Sequence, residues 1–283
     1  MLSLTSTYLL SNGVKIPQVG FGTWQTPAGD VAEKSVLEAL KVGYRHIDTA
    51  QGYKNEESVG NAIKKSGLKR EDIFLTTKLW NESHGYEATK KAFAESLVKL
   101  QTEYVDLFLI HWPNPVTFRD DWEKTNAETW RAMEELYQEG KIKAIGVSNF
   151  MIHHLEALEK TAKIWPMVNQ VFLAPGEVQH DLGVYCAAHQ ILLEAYSPLG
   201  TGKIFSVPEM KTIAEKHQKT IAQVALRWSL QHKFLPLPKS VTPSRIKENT
   251  EIFDFELDKE DMRLLDSLDG VVGKQKDPDT TNF

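Results

Sequence analysis

Cysteine occurs once, as Cys186, in a chain of 283 residues. No internal disulfide can form, and a reducing compartment is expected. Long apolar runs are missing too, since no stretch reaches the ~18 residues that a bilayer-crossing helix needs. Met1 to Leu10 contains no Lys or Arg and no apolar run of signal-peptide length, so the expected location is cytoplasmic. A basic surplus is absent: 33 Lys and Arg face 38 Asp and Glu, giving a formal net charge of −5. Nothing in that balance favours nucleic acid or an anionic membrane. No Pro/Gly/Ser-rich linker, low-complexity segment or long repeat divides the chain, so residues 1–283 read as one domain. Complete phosphate-binding glycine motifs are also lacking. Gly20-Phe21-Gly22 opens a G-x-G-x-x-G, but Gln25 stands at the third glycine. Gly202-Lys203 is followed by Ile204, and Ser197 replaces the upstream glycine of a P-loop. His153-His154 has no partners at ligand spacing, so no metal is expected.

What is present is a regular alternation. Thr7-Tyr-Leu-Leu10 and Val14-Lys-Ile-Pro17 flank Asn12-Gly13, a dipeptide that tolerates positive φ and signals a hairpin. Apolar runs then alternate with helical periodicity. Strands are expected at Val19–Gly22, His46–Ala50, Ile73–Leu79, Val105–His111, Ala144–Ser148, Met167–Phe172, Ile191–Tyr196 and Phe234–Pro238. Helices are expected at Asp30–Val42, with Asp30 as N-cap and Gly43 as stop, and at Glu56–Lys65, Tyr86–Leu100, Glu128–Glu139 and Thr220–Gln231. Further helices from Pro243 and Lys259 close the chain. Continuous rather than alternating apolar strands mark a parallel sheet buried on both faces. About eight βα units in roughly 250 residues fit a (β/α)₈ TIM barrel, with the hairpin outside the alternation, capping its bottom. An open doubly wound sheet is the competing architecture.

Barrel chemistry sits at the C-terminal ends of strands. Those ends carry Asp48, Lys78 and His111, and Tyr53 follows Asp48 on the next loop. Lys78 beside Tyr53 favours phenolate and so pulls the phenol below its usual value of about 10. Asp48 would hold Lys78, and His111 would hydrogen-bond a carbonyl oxygen, leaving Tyr53 to deliver a proton. Each residue alone reads as structural: a rim ion pair, a satisfied histidine, a loop aromatic. At matching strand ends the four read as a site. Trp24, Trp80 and Trp112 follow three strand ends, and suggest an aromatic-walled substrate pocket.

A second signal lies in Leu235 to Arg245. A strand runs into a helix start, with Thr242 as a cap candidate, Pro243 at the first helical position and Lys239 and Arg245 alongside. Free N–H groups and two cations make an anion site, and an arginine there suits a ribose 2′-phosphate, hence NADP over NAD.

Seven stretches together resemble the aldo-keto reductases along nearly the whole chain. They are Gly43-Tyr-Arg-His-Ile-Asp-Thr-Ala50 with Tyr53 and Asn55-Glu-Glu57; Thr77-Lys-Leu-Trp80; Asp106-Leu-Phe-Leu-Ile-His-Trp-Pro113; and Gly146-Val-Ser-Asn-Phe150. Asn169-Gln170, Tyr196-Ser-Pro-Leu199 and Pro238 to Asn249 complete the set. The resemblance implies a (β/α)₈ barrel that binds NADPH across its top before a small carbonyl substrate. By position, Tyr53 matches the proton donor, Asp48 and Lys78 its tuning pair, and His111 the residue that orients the carbonyl. Ser148, Asn149 and Gln170 match the nicotinamide carboxamide ligands, and Tyr196 the stacking ring. Ser197, Leu199, Lys239, Ser240, Val241, Thr242, Arg245, Glu248 and Asn249 match the pyrophosphate, 2′-phosphate and adenine contacts. Trp24 and Trp112 match pocket walls. The resemblance also implies a monomer. Val171-Phe-Leu-Ala-Pro175 departs from the usual acidic residue and His or Asn after Asn-Gln, and the tail after Asp269 is short, as in the microbial branch with diketogluconate and methylglyoxal reductases. A non-catalytic NADPH-binding module, like the potassium-channel β subunits, is the alternative, and a barrel hydrolase a distant third.

Overall fold

The computed structural model describes residues 3–283. Strands β1 (Thr7–Leu9) and β2 (Lys15–Pro17) pair antiparallel, with Tyr8 opposite Ile16. The hairpin covers the N-terminal ends of the main strands: the Tyr8 hydroxyl donates to the Phe234 carbonyl, and Asn12 Nδ2 to the Lys143 carbonyl. Its Leu10 and Ile16 are buried there. It lies across the bottom, as the sequence implies.

The alternation then runs β3 (Phe21–Gly22), α1 (Asp30–Val42), β4 (His46–Asp48), α2 (Glu56–Lys65), β5 (Phe74–Leu79), α3 (Tyr86–Leu100), β6 (Val105–Ile110) and α4 (Trp122–Gln138). It continues β7 (Ile142–Ser148), α5 (Ile152–Glu159), β8 (Val168–Phe172), α6 (His180–Ala188), β9 (Leu192–Tyr196), α7 (Pro208–His217), α8 (Ile221–Gln231) and β10 (Leu235–Pro236). Helices α9 (Pro243–Glu248) and α10 (Lys259–Asp266) follow. Strands β3 to β10 form one eight-stranded parallel sheet in chain order. Its two ends meet, because the Gly20 N–H donates to the Pro236 carbonyl at 3.1 Å and the Gly22 N–H to the Pro238 carbonyl at 2.9 Å. The sheet therefore closes on itself, and the TIM-barrel expectation holds over the doubly wound one.

The helices face the barrel with apolar stripes. In α1 the buried positions are Ala32, Ser35, Val36, Ala39 and Leu40, spaced at three and four residues as one helical face requires. Gly43 ends that helix at φ 113, a conformation open to glycine at little cost. Its start differs from expectation: Gly29 occupies the cap position and Asp30 is the first helical residue, where its charge still suits the positive end of the helix. Helix α4 begins at Trp122 rather than Glu128. Its first turns bury Thr125 and Asn126, polar residues that carry no apolar period, and Asn126 Nδ2 is satisfied by the Pro113 carbonyl at 2.8 Å.

Outward-facing side chains such as Ile47, Leu75 and Val147 build the core against the helices. Inside the barrel the population is different. His46, Asp48, Lys78, Gln170 and Glu194 are all buried, an unusual concentration of polar groups at the centre of a protein.

Candidate active site

Register explains how the site is assembled. Asp48 is the last residue of β4, and Lys78 lies one side-chain repeat beyond its partner Thr76 on β5. Both side chains therefore point inward near the top. Lys78 Nζ lies 2.7 and 2.8 Å from the two Asp48 oxygens, 3.0 Å from the Thr49 carbonyl and 3.2 Å from the Tyr53 hydroxyl. Tyr53 is placed by a short 3₁₀ turn, Gln51–Tyr53, immediately after β4. His111, just past β6, stands edge-on to Tyr53 and to Trp80, with ring centroids 5.6 and 5.3 Å apart. Trp80 packs flat over Gly52, where a Cβ would lie 2.4 Å from the indole. All four predicted residues meet in one place.

Their electrostatics correct one expectation. The Tyr53 phenol is raised, not lowered, because burial outweighs the opposing pull of Lys78. Tyr53 is thus a neutral phenol, a proton donor rather than a resident phenolate. Burial pulls Lys78 downward, but Asp48 and the Tyr53 oxygen overcome it, so the net direction is upward and the ammonium persists. Burial, helped by Lys78, drives His111 well below the usual histidine range, leaving a neutral imidazole. The arrangement is one neutral acid, one fixed cation at its oxygen and one neutral ring that can donate a hydrogen bond.

A cavity of about 950 Å³ opens over this group. Its walls include Trp24, Trp80 and Trp112, together with Ser148, Asn149, Gln170, Tyr196, Ser197 and Leu199. It extends to Lys239, Ser240, Arg245, Glu248 and Asn249. Val241 and Thr242 do not line it; both are exposed, and Thr242 caps α9 by position without a side-chain bond. Nearby ion pairs join Lys219 to Asp254 and Arg227 to Glu256, and leave Lys239 and Arg245 without a carboxylate among the described residues.

Strand ends β7 and β8 present amides to the cavity. Asn149 sits at φ 63, its Nδ2 donating to the His111 carbonyl at 2.9 Å while its Oδ1 accepts from the Tyr196 hydroxyl at 3.0 Å. Gln170 Nε2 donates to Asp48 Oδ2 at 2.9 Å and Glu194 Oε2 at 2.8 Å. With both amide hydrogens committed, the cavity meets the Gln170 oxygen.

Several participants escape sequence reasoning. Gln275 Nε2 donates to Asn149 Oδ1 at 2.9 Å, and its Oε1 accepts the Phe172 N–H at 2.8 Å. Phe283 lies edge-on to Trp112, centroids 4.7 Å apart, and lines the cavity. The tail thus walls the site. Asp279 corrects a second expectation: it supplies the partner that His153-His154 seemed to lack, 3.0 Å from each Nε2. His154 Nδ1 accepts the Met151 N–H, so its proton resides on Nε2 and points at Asp279. That is a latch for the tail rather than a lone pair offered to a metal. Glu194 carried the one usable signal, a single carboxyl inside the apolar run Ile191–Tyr196.

The model of the Aldo/keto reductase family matches residues 18–270. The chain is 51% identical over 277 residues to the glyoxal reductase of Bacillus subtilis (strain 168), covering 97% of this chain and 98% of that protein. It is 44% identical over 276 residues to the methylglyoxal reductase DkgA of Escherichia coli (strain K12), covering 97% and 96%. Among solved structures, an aldo/keto reductase from Brucella melitensis superposes with a TM-score of 0.89 at 50% identity, covering 95% of this chain and 100% of that one. A mutant of Gox0644 in complex with NADPH superposes with a TM-score of 0.91 at 41% identity, covering 99% of both chains.

Proposed function

The chain belongs to the aldo/keto reductase family, and from that membership we propose that it reduces aldehydes, dicarbonyls or ketones to alcohols, with Tyr53 as the general acid. It is an NADP-dependent oxidoreductase. The observation that carries the assignment of Tyr53 is the 3.2 Å contact between its hydroxyl and the buried Lys78 ammonium.

The residues present fit NADPH. Lys239 and Arg245 are cations at the cavity wall without carboxylate partners among the described residues, suited to phosphate. The Gln170 oxygen suits the N–H of a carboxamide, Asn149 stands beside it with its own amide held by His111, Tyr196 and Gln275, and Tyr196 offers an aromatic face. When bound, NADPH supplies the hydride.

The chain's own residues do the rest. His111 and Tyr53 flank the point where a carbonyl oxygen would rest, within a cavity walled by Trp24, Trp80 and Trp112. As negative charge develops on that oxygen, the Tyr53 O–H proton passes to it. The phenolate left behind faces Lys78, whose ammonium is already fixed by Asp48, so little reorganisation is needed. The names of the two bacterial relatives make small dicarbonyls the first substrates to try. We take the protein to be a single-domain, cytoplasmic monomer with no nucleic-acid partner; among the described residues no helix is long and apolar enough to cross a membrane.

Loss of reduced-nicotinamide absorbance with NADPH or NADH and methylglyoxal, an aromatic aldehyde or a diketo acid tests this reading. Turnover with NADPH, much weaker with NADH, is expected. Tight NADPH binding with no turnover on any carbonyl would instead favour a cofactor-sensing regulatory module.

A further inference from the structure

One buried acid has no part in the chemistry so far. Glu194 is fully buried in the middle of β9, in register with Gln170 on β8 and Leu235 on β10. Its Oε2 takes the second amide hydrogen of Gln170, whose first goes to Asp48. Its Oε1 has no hydrogen-bond partner and lies 3.9 Å from His46 Nε2, which instead meets Thr76 Oγ1 at 2.9 Å. Placing a carboxyl here with one oxygen unsatisfied works against stability. A hydrophobic residue, as on the rest of β9, would avoid that penalty.

We propose that Glu194 is a positioning residue for the carbonyl reduction: it clamps the Gln170 amide against Asp48, so that the amide oxygen points into the cavity while Asp48 stays turned toward Lys78. The inference rests on the reductase reading above. The Asp48 carboxylate fixes the orientation of Gln170, because turning the amide over would set its oxygen against that carboxylate. With that orientation fixed, the surface offered to a carboxamide is an acceptor beside Asn149.

The clamp also has a charge state. The ionisable groups facing Glu194 across the barrel are Asp48 and His46 on β4 and Lys78 on β5, with Tyr53 above them; β10 contributes none. Burial, then the nearby Asp48 charge, pushes the Glu194 carboxyl up to about 8. Burial, then Lys78, holds the His46 imidazole down to about 3. Near neutrality the interior therefore holds one balanced pair, Asp48 with Lys78. When the Glu194 O–H bond breaks and the proton leaves to solvent base, a second negative charge enters. That charge raises Tyr53 further and makes it a poorer acid.

The test compares wild type, Glu194→Gln and Glu194→Leu, each with NADPH and methylglyoxal, from about pH 6 to about pH 9. Wild-type kcat is expected to fall as pH rises through about 8. Glu194→Gln keeps an acceptor for Gln170 but cannot ionise, so the fall should disappear. Glu194→Leu frees the amide and should lower kcat about tenfold or more, with the KM for methylglyoxal changing less. Bound-NADPH fluorescence over the same range gives a readout without turnover: its wild-type change near pH 8 should vanish in Glu194→Gln. An unchanged alkaline fall in Glu194→Gln, or wild-type kcat in Glu194→Leu, overturns the inference. If Glu194→Leu does not fold, the Glu194→Gln profile alone decides. Absence of wild-type turnover with every carbonyl would instead strike the reductase reading, and the fluorescence titration would still judge the clamp.

Discussion

The two ends of the cavity are built on opposite plans. At the β4–β6 end, every charged group already has its partner inside the protein: Lys78 holds Asp48, Thr49 and Tyr53, and is fully buried. At the β10–α9 end, Lys239 is half-buried and Arg245 exposed, with no carboxylate on either among the described residues. The first arrangement is finished before any ligand arrives, which is what stabilising a transition state requires. The second is left open, and on the proposed reading its charges gain partners when NADPH binds. Chemistry and grip are therefore separable in this molecule, and substitutions should tell them apart.

The largest expected effect is on the closed end. Lys78→Met leaves the Asp48 carboxylate buried without its cation, which should cost about 3–5 kcal/mol of stability. It should also lower kcat by about 10²-fold or more, through loss of the charge facing the Tyr53 oxygen. Thermal unfolding and turnover at saturating NADPH check both. Glu194, whose side chain shares Gln170 with Asp48, belongs to this end as well.

Next comes the open end. Arg245→Ala should weaken NADPH binding by about 10–100-fold and narrow the preference over NADH, as expected for losing one charge-assisted phosphate contact. Fluorescence titration at two salt concentrations checks this, and the wild-type affinity should fall more steeply with salt than the variant's.

A smaller effect is expected at the tail, which belongs to neither end. Asp279→Ala removes the acceptor for Asn114, His153 and His154 that holds the segment carrying Phe283 against Trp112. It should raise the KM for carbonyl substrates a few-fold, about 1 kcal/mol, with kcat nearly unchanged. Steady-state kinetics over a substrate series check this.

Separate from these substitutions is a pH dependence of stability shared across the fold. Burial holds His46 down to about 3 and His84 and His154 down to about 4, each below the ordinary histidine value of 6.5. Folded pKa values below unfolded ones mean that the unfolded chain takes up protons first as pH falls. Their contribution is fully present above about pH 6.5 and should be lost progressively toward pH 4 and below. Denaturant unfolding at a series of pH values checks the slope.

The closed end was also the more legible in sequence. Asp48, Lys78 and His111 fall at strand ends, and a parallel strand's apolar run announces its own end. The limits of α2 and α3 were equally plain, because their apolar period stops at recognisable residues. The start of α4 was not, since Thr125 and Asn126 are buried polar residues, Asn126 held by a hydrogen bond to the Pro113 carbonyl, that no apolar periodicity records. The direction of the Tyr53 shift needed the depth of burial as well as the neighbouring charge, and only the fold supplies the first. The tail contacts join residues more than a hundred positions apart, such as Gln275 with Asn149, and leave no local pattern. At the open end the motif identified Lys239, Ser240 and Arg245, which line the cavity, whereas Val241 and Thr242 are exposed and do not.

The separation of chemistry from grip is tested most directly by one paired measurement: single-turnover reduction of methylglyoxal by NADPH-saturated enzyme, alongside NADPH affinity, for Tyr53→Phe and Arg245→Ala. Tyr53→Phe should lose about 10³-fold in rate with affinity nearly intact, and Arg245→Ala should lose affinity while its saturated rate stays near wild type. A Tyr53→Phe enzyme that still turns over, or an Arg245→Ala enzyme whose saturated rate collapses equally, would contradict it.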